Sequence, residues 1–156
     1  MISASCAVGM MLVATACSKS PKTFGSINEK MQHQAGVVAE KIKADSGLVL
    51  NYSIGSIKYL ETPLNNLAGT IGKTDPAKAS LEAETFGAYV GECLRKKLGG
   101  EWAEEQAEGK FVYRVKTPSG MAFTPATWCY ERITGTEKQN IYKKVLAEAG
   151  AASAGK

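Results

Sequence analysis

The sequence is organised around a long amphipathic helix predicted between Pro76 and Gly100. Asp75 is a candidate N-cap, and Pro76 suits the first helical turn, where its missing backbone N–H has no helical acceptor. Gly99 and Gly100 allow the chain to leave the helix in a left-handed conformation. The large apolar residues fall mostly on one broad stripe: Leu81, Phe86, Tyr89, Val90, Cys93, Leu94 and Leu98. A stripe of this width requires a second layer of structure to cover it.

Two glycines four residues apart, Gly87 and Gly91, lie within this predicted helix. A glycine inside a helix lowers its stability by about 1 kcal/mol relative to alanine. We therefore interpret both as positions where another backbone packs closely, with a ligand-binding notch as the alternative.

Beyond Gly100 the apolar spacing changes from helical to alternating, which predicts β-strands. Strands are predicted over 101–104, 111–117 and 120–124, with turns over 106–110 and 118–120. In the second strand, Phe111, Tyr113 and Val115 share one face. The sequence predicts an α+β fold in which a three-stranded antiparallel meander packs on the long central helix, with additional flanking helices.

Two flanking helices are predicted before the central one. Ser26 opens a capping box, and the helix that follows should end at Gly47. Its predicted apolar face consists of Ile27, Met31, Ala35, Val38 and Ile42. A second helix, starting at Ser53 or Ser56, contains Pro63, which should kink or interrupt it.

Two further helices are predicted after the strands. Thr124 and Pro125 form a cap and first-turn proline for a short helix through Ile133. A second capping box at Thr136 should open the final helix, anchored by Ile141, Val145 and Leu146. Residues 149–156 consist of small residues and are predicted to be a disordered tail.

Residues 1–20 form an apolar run followed by small residues and then a polar stretch, a pattern that is typical of an export signal. The apolar run is too short for a comfortable membrane span of about 20 residues. The Val13–Cys17 segment, VATAC, resembles the lipobox of bacterial lipoproteins. The resemblance implies cleavage after Ala16, acylation of Cys17, and, from Ser18, an outer-membrane anchor facing the periplasm. The alternative is a buried apolar helix with a free Cys17.

Domain boundaries follow from this interpretation. Residues 1–16 are predicted to be the signal peptide, 17–25 a lipidated tether, 26–148 a single α+β domain and 149–156 the tail. A chain of 156 residues, of which 44% are hydrophobic, suffices for one domain with its own core.

The four cysteines are assigned by the same interpretation. Cys6 leaves with the signal and Cys17 carries lipid, so Cys93 and Cys129 remain. In an oxidising envelope compartment these two are predicted to form a disulfide between the helix and the sheet layers. The alternative is a pair of buried thiols that behave as small hydrophobic groups.

A second resemblance covers residues 48–133. The segment GAYVGECLR over 87–95, followed by GGEW over 99–102, resembles bacterial domains of unknown function with a Gly-Glu helix, a double glycine and a tryptophan. Asn51-Tyr52-Ser53, and Thr124-Pro125 with Glu131-Arg132, are similar too. The resemblance implies a small α+β domain, and it brings no established activity.

The resemblance singles out Glu92, a carboxylate on a mainly apolar helix. Such a group can be an acid or base with a raised pKa, but more often it pairs with an arginine, and Arg114 and Arg132 are the candidates. Trp102 and Trp128 are interpreted as core residues, with a ligand platform as the alternative.

Composition limits the possible functions. The net charge of +4 comes from lysines spread among acidic residues, which does not predict a nucleic-acid groove. A single histidine, His33, leaves little material for a metal site or a Cys-His dyad, so no metal and no cofactor are expected.

The sequence therefore predicts a non-catalytic module that binds a protein partner, possible roles being immunity to or inhibition of a toxin or hydrolase. The alternatives are an accessory structural lipoprotein of an envelope or secretion assembly, and an enzyme that uses Glu92.

Overall fold

The predicted central helix is present as α3, Pro76–Leu98, in the computed structural model, which describes residues 23–107 and 109–154. The Asp75 side chain accepts a hydrogen bond from the Lys78 backbone N–H at 2.9 Å, and Gly99 ends the helix at a φ of 72°. Leu81 does not belong to the buried stripe, because its side chain is 64% exposed. It lies two residues, or roughly 200° of helical rotation, from the buried Ala79 and Ala83.

The predicted meander is also present. Strands β1, Glu101–Ala107, β2, Lys110–Lys116, and β3, Ala122–Phe123, form an antiparallel sheet in the order β1-β2-β3. β1 and β2 pair along their whole length, whereas β3 pairs only with the last two residues of β2. The third strand is shorter than predicted because the preceding turn extends through Gly120, which has a φ of 84°, and Thr124 is already the N-cap of the next helix.

The first flanking helix follows its prediction. Helix α1, Ile27–Ser46, is capped by the Ser26 Oγ, which accepts from the Glu29 backbone N–H, and it ends at Gly47 in a left-handed conformation. The face that packs on α3 contains the buried residues Met31, Ala35, Val38 and Ile42. The spacing of these residues at three and four is sufficient to place the helix.

The second flanking helix differs from its prediction. A 3₁₀ helix, Ile54–Leu60, passes directly into α2, Glu61–Thr70. Pro63 is the third residue of α2, where its missing N–H removes no hydrogen bond within that α-helix, and the change from 3₁₀ to α-helix falls just before it. The apolar spacing of this segment predicts an inner face of Ile57, Leu60, Leu64 and Leu67, of which the first three are buried and Leu67 is half-buried.

The last two helices are α4, Pro125–Thr134, and α5, Ile141–Ala154. The predicted start at Thr136 is wrong. Asn140 caps α5 instead, since its Oδ1 accepts from the Lys143 backbone N–H at 3.1 Å. Leu146, a predicted anchor, is 47% exposed.

The predicted disordered tail is wrong for residues 149–154, which complete α5. Ala149 and Ala152 are buried there, because small side chains allow the helix to lie close to the core. Ile141 and Val145 anchor the start of the same helix.

Close packing around α3 explains its two glycines. A Cβ built on Gly87 would lie 2.5 Å from the Ala126 Cα, so at this point the α4 backbone touches α3. A Cβ on Gly91 would lie 2.1 Å from the indole ring of Trp102. Both glycines are therefore packing positions as predicted, but a second backbone approaches only Gly87, whereas Gly91 makes room for a side chain.

The predicted signal peptide, Cys17 and most of the tether lie outside the described residues. Across 23–107 and 109–154, the model contains no helix with the length and apolar character needed to cross a membrane.

Candidate functional site

Glu92 lies in the core, only 2% exposed, and both of its carboxylate oxygens accept hydrogen bonds. Arg95, one helical turn further along α3, donates from Nε to Oε1 at 2.9 Å and from Nη2 to Oε2 at 3.1 Å. The indole Nε1 of Trp102 donates to Oε1 at 2.8 Å. These hydrogen bonds raise the pKa of Arg95 further above its usual value. The carboxylate thus joins the end of α3 to the start of β1.

Neither arginine that the sequence suggested for Glu92 reaches it. Arg114 lies 2.9 Å from Glu105 on the outer face of the hairpin, and Arg132 pairs with Glu61 at 3.7 Å and donates to Asn65. The pairing hypothesis was correct in kind and wrong in partner. An arginine three residues from Glu92 is close enough to bond it within one helix, whereas Arg114 and Arg132 belong to other elements.

Trp102 and Trp128 are both buried, as the core interpretation expects. The ring of Trp128 lies edge-on to Phe123, with 6.1 Å between centroids, and Lys144 lies 5.6 Å from its centroid. Trp128, on α4, therefore packs between β3 and α5.

A second polar cluster surrounds Tyr89 on α3. Its hydroxyl accepts from the Tyr52 backbone N–H at 3.1 Å and lies 2.7 Å from the Ser56 Oγ. Tyr52 has a φ of 59°, and its ring stacks on that of Tyr89 with 5.0 Å between centroids. Burial raises the pKa of Tyr89 to about 12. Tyr89 therefore remains protonated and holds the left-handed turn before the 3₁₀ helix.

The predicted disulfide is absent. Cys93 and Cys129 are free, buried thiols that are not within bonding distance. The Cys93 thiol faces the hydroxyls of Tyr89 and Ser56, whereas Cys129 is fully enclosed on α4 on the side of Glu61. Although α3 and α4 pack together, the two side chains face different neighbours.

Both thiols should be unreactive in the folded protein. Burial raises the pKa of Cys93 to about 12 and raises that of Cys129 further still. Because the thiolate is the nucleophile, we expect alkylation of the folded chain at pH 8 to be slowed about a thousandfold relative to an ordinary thiol.

Thiol titration tests this prediction in a chain with Cys6→Ser and Cys17→Ser. Exported, unreduced protein should show no fast-reacting thiol when folded and two when unfolded in guanidinium. Absence of free thiols after unfolding would show instead that the bridge forms on export.

An open groove, which the sequence did not predict, lies between α3, β2 and α4. It has a volume of about 500 Å³. The residues that line it come from the start of α3, the start of β2 and the first turns of α4: Pro76, Ala77, Ser80, Ala83, Glu84, Lys110, Phe111, Val112, Tyr113, Ala126, Thr127 and Tyr130. Phe111 is 64% exposed. The volume is within the roughly 300–1,000 Å³ typical of ligand pockets.

Side chains of α1 form polar contacts with two of the residues that line this groove. The Glu84 Oε1 lies 3.0 Å from the Lys30 Nζ and accepts from the Gln34 Nε2 at 3.0 Å. Lys30 also donates to the Tyr113 hydroxyl at 2.6 Å. Two groove residues, Glu84 and Tyr113, are therefore held in place by α1.

A smaller opening of about 340 Å³ lies near the C-terminal end of α3, lined by Gln32, Tyr52, Glu92, Arg95 and Lys96. The Lys96 ammonium lies 4.0 Å from the centroid of the Tyr52 ring. Within residues 23–107 and 109–154, no group of three or more His, Cys, Asp or Glu side chains is placed to hold a metal ion. His33 is exposed and lies against Phe24.

No protein-family model, curated protein or solved structure matches the chain. The resemblance over 48–133 to an uncharacterised domain family therefore stays a prediction, and the arguments on function below depend on the geometry of the chain itself.

Proposed function

We propose that the domain is a non-catalytic module that binds a protein partner through the groove between α3, β2 and α4, from an outer-membrane lipid anchor at Cys17. Immunity to, or inhibition of, a toxin or hydrolase is the role that this build favours. The observation that carries the proposal is an exposed aromatic residue, Phe111, at a groove whose walls combine small apolar side chains with polar ones. Aromatic residues at the edge of a recess are typical anchors of protein interfaces.

The environment of Glu92 supports a non-catalytic role. A general acid or base must reach a substrate, whereas this carboxylate, although it borders the smaller opening, is only 2% exposed and both of its oxygens accept hydrogen bonds from Arg95 or Trp102. The groove lies beside the first half of α3, away from Glu92, and contains a carboxylate, Glu84, that is already paired with Lys30.

The anchor is supported by the lipobox-like residues Val13–Cys17 alone. Several acyl chains on Cys17 would hold the domain on a membrane surface, where a partner crossing the envelope can be intercepted.

Site-specific photo-crosslinking in cells that make the full chain tests the proposal. A benzophenone side chain at Thr127, which is exposed and lines the groove, should give a discrete adduct with one protein. The same side chain at Leu146, exposed on α5, is the matched control and should not.

The adduct should sediment with the outer membrane, and Cys17→Ser should release it into the soluble fraction. Equal labelling from positions 127 and 146, or no adduct from 127, would refute binding at the groove. Unchanged sedimentation of the serine variant would refute only the anchor.

A further inference from the structure

One edge of β2 is open beside the groove. β3 covers only Val115 and Lys116, and α4 then turns the chain away at Pro125. Residues 110–114 of β2 are left uncovered, and four of them, from Lys110 to Tyr113, line the groove. The sheet is therefore incomplete along this edge.

The alternation of the ladder identifies which backbone groups face the groove. The Trp102 N–H points away from β2, since it donates to the Asn28 Oδ1 at 3.3 Å. Its partner Val115 must then direct its own N–H and C=O away from β1, towards β3. Thr117, two residues on, obeys the same alternation and donates to the Met121 carbonyl at 2.9 Å.

Continued in the other direction, the alternation turns the backbone groups of Tyr113 and Phe111 towards the groove. Within the described residues, neither residue's N–H forms a hydrogen bond on that side. The N–H and C=O groups of Phe111 and Tyr113 thus provide two donors and two acceptors along the edge of β2 that borders the groove.

The walls leave room beside this edge. The α3 wall contains the short side chains of Ala77, Ser80 and Ala83 beside the longer Glu84, and α4 adds Ala126 and Thr127 beside Tyr130. The short side chains leave room for the cleft of about 500 Å³ next to the strand.

We propose that the groove accepts an extended segment of the partner protein as an added strand, antiparallel to β2 and continuing the line of β3. This inference rests on the proposed function and specifies how the partner is held. Five residues of β2, 110–114, are available, which at about 3.4 Å per residue accommodates a segment of about five residues. Backbone hydrogen bonds supply affinity in this mode, and alternate side chains supply specificity.

The groove also selects the chemistry of the segment. Alternate side chains on the α3 side face Ala77, Ser80 and Ala83, which favours large apolar residues there, while the Glu84 carboxylate on the same wall is already paired with Lys30. A segment antiparallel to β2 ends near Lys110, which places a positive charge next to an acidic residue or a terminal carboxylate.

A second copy of the chain fits this edge poorly. Its exposed strand β1 carries Glu101, Glu104 and Glu105, and Asn28 already bonds the start of that edge. Its own β2 edge lies within the groove, so two such edges cannot approach each other. The observations therefore favour an extended segment from another protein.

Selection of linear heptapeptides displayed on phage against the full chain supplies the probe. Peptides synthesised from the selected sequences should show alternating apolar residues and an acidic C-terminal half. In ¹⁵N-labelled full chain, their binding should slow amide exchange of Phe111 and Tyr113 by about tenfold or more, as expected for new hydrogen bonds.

Proline variants separate backbone pairing from side-chain contact. Phe111 and Gln106 are register partners whose N–H groups point to opposite edges, so proline at either position removes no bond between β1 and β2. Phe111→Pro should weaken peptide binding by about tenfold more than Phe111→Ala does, the equivalent of one hydrogen bond. Gln106→Pro, the matched control, should change the affinity less than about twofold.

Strand addition would be overturned if no peptide were selected, or if bound peptides left the Phe111 and Tyr113 amides unprotected. It would also be overturned if Phe111→Pro and Gln106→Pro weakened peptide binding equally, or if the chain associated with itself through the groove. Protection of both amides before any peptide is added would also overturn it, because the edge would then be occupied by the chain itself. An adduct at Thr127 combined with unprotected amides would reject strand addition while leaving the proposed function in place.

Discussion

Glu92→Ala should lower the free energy of unfolding by about 3 kcal/mol, the lower end of the range for removing one partner of a buried ion pair. The substitution leaves the Arg95 guanidinium and the Trp102 indole N–H without their acceptor, and it opens a cavity in the core. The lower end applies because the Arg95 side chain is 21% exposed and can turn towards water. Urea unfolding followed by tryptophan fluorescence measures the difference.

Two further variants give this result its meaning. Glu104→Ala removes an exposed carboxylate from β1 and should stay within about 0.5 kcal/mol of the parent chain. Glu92→Gln keeps an acceptor for Trp102 and should lower the unfolding free energy by only about 1–2 kcal/mol. A neutral Glu92→Ala would contradict the structural role of Glu92.

The same glutamine variant tests the enzyme alternative. If Glu92 is structural, the folded Glu92→Gln chain should still form the Thr127 adduct and should produce the same phenotype in cells as the parent chain. Loss of that effect in a folded, adduct-forming variant would favour catalysis.

Gly87→Ala should destabilise the domain by about 1–3 kcal/mol, the usual range for overpacking. The added Cβ would lie 2.5 Å from the Ala126 Cα and 2.6 Å from its nitrogen. Backbone atoms cannot turn aside as a flexible side chain can, so α4 must move away from α3 as a unit. Thermal and urea unfolding both measure the loss.

Gly36→Ala is the matched control, because it makes the same change inside α1 where no atom lies within 4 Å of the new Cβ. It should stabilise the chain by up to about 1 kcal/mol through helix propensity. The two variants should therefore have opposite signs. Stabilisation by both would mean that α3 and α4 do not approach as closely as described.

The Gly87 variant also affects the groove. Ala126 lines it, so displacement of α4 should weaken binding of the selected peptides, whereas Gly36→Ala should leave binding unchanged. This difference connects the packing of α3 to recognition at the β2 edge.

The predicted elements that proved correct are those whose signals lie within a few residues of one another. Asp75 and Gly99 bound α3, Ser26 and Gly47 bound α1, and the alternation after Phe111 marks β2. The errors came from competing local signals. Thr136 and Asn140 both resemble N-caps, and packing of the buried Ile141 selected the later one.

Side-chain partners were predicted less well than elements. The sequence indicated that Glu92 needs a cation, but three arginines satisfy that condition and only the folded chain selects Arg95. Cys93 and Cys129 were paired because two cysteines remained, and the directions in which their side chains point on α3 and α4 keep them apart. The groove gave no sequence signal, since the residues that line it come from three separate elements and form no motif.

The sequence by itself determined where α1, α3 and the hairpin lie and that they form an α+β domain, because caps, turns and hydrophobic periods act over a few residues. Only the tertiary structure decided which groups meet across elements. Packing of the helices and strands determines that Arg95 and Trp102 bond Glu92. It also determines that the two thiols are separated and that one edge of β2 stays open. Packing sums many weak contacts between residues distant in the chain, and no short motif encodes that sum.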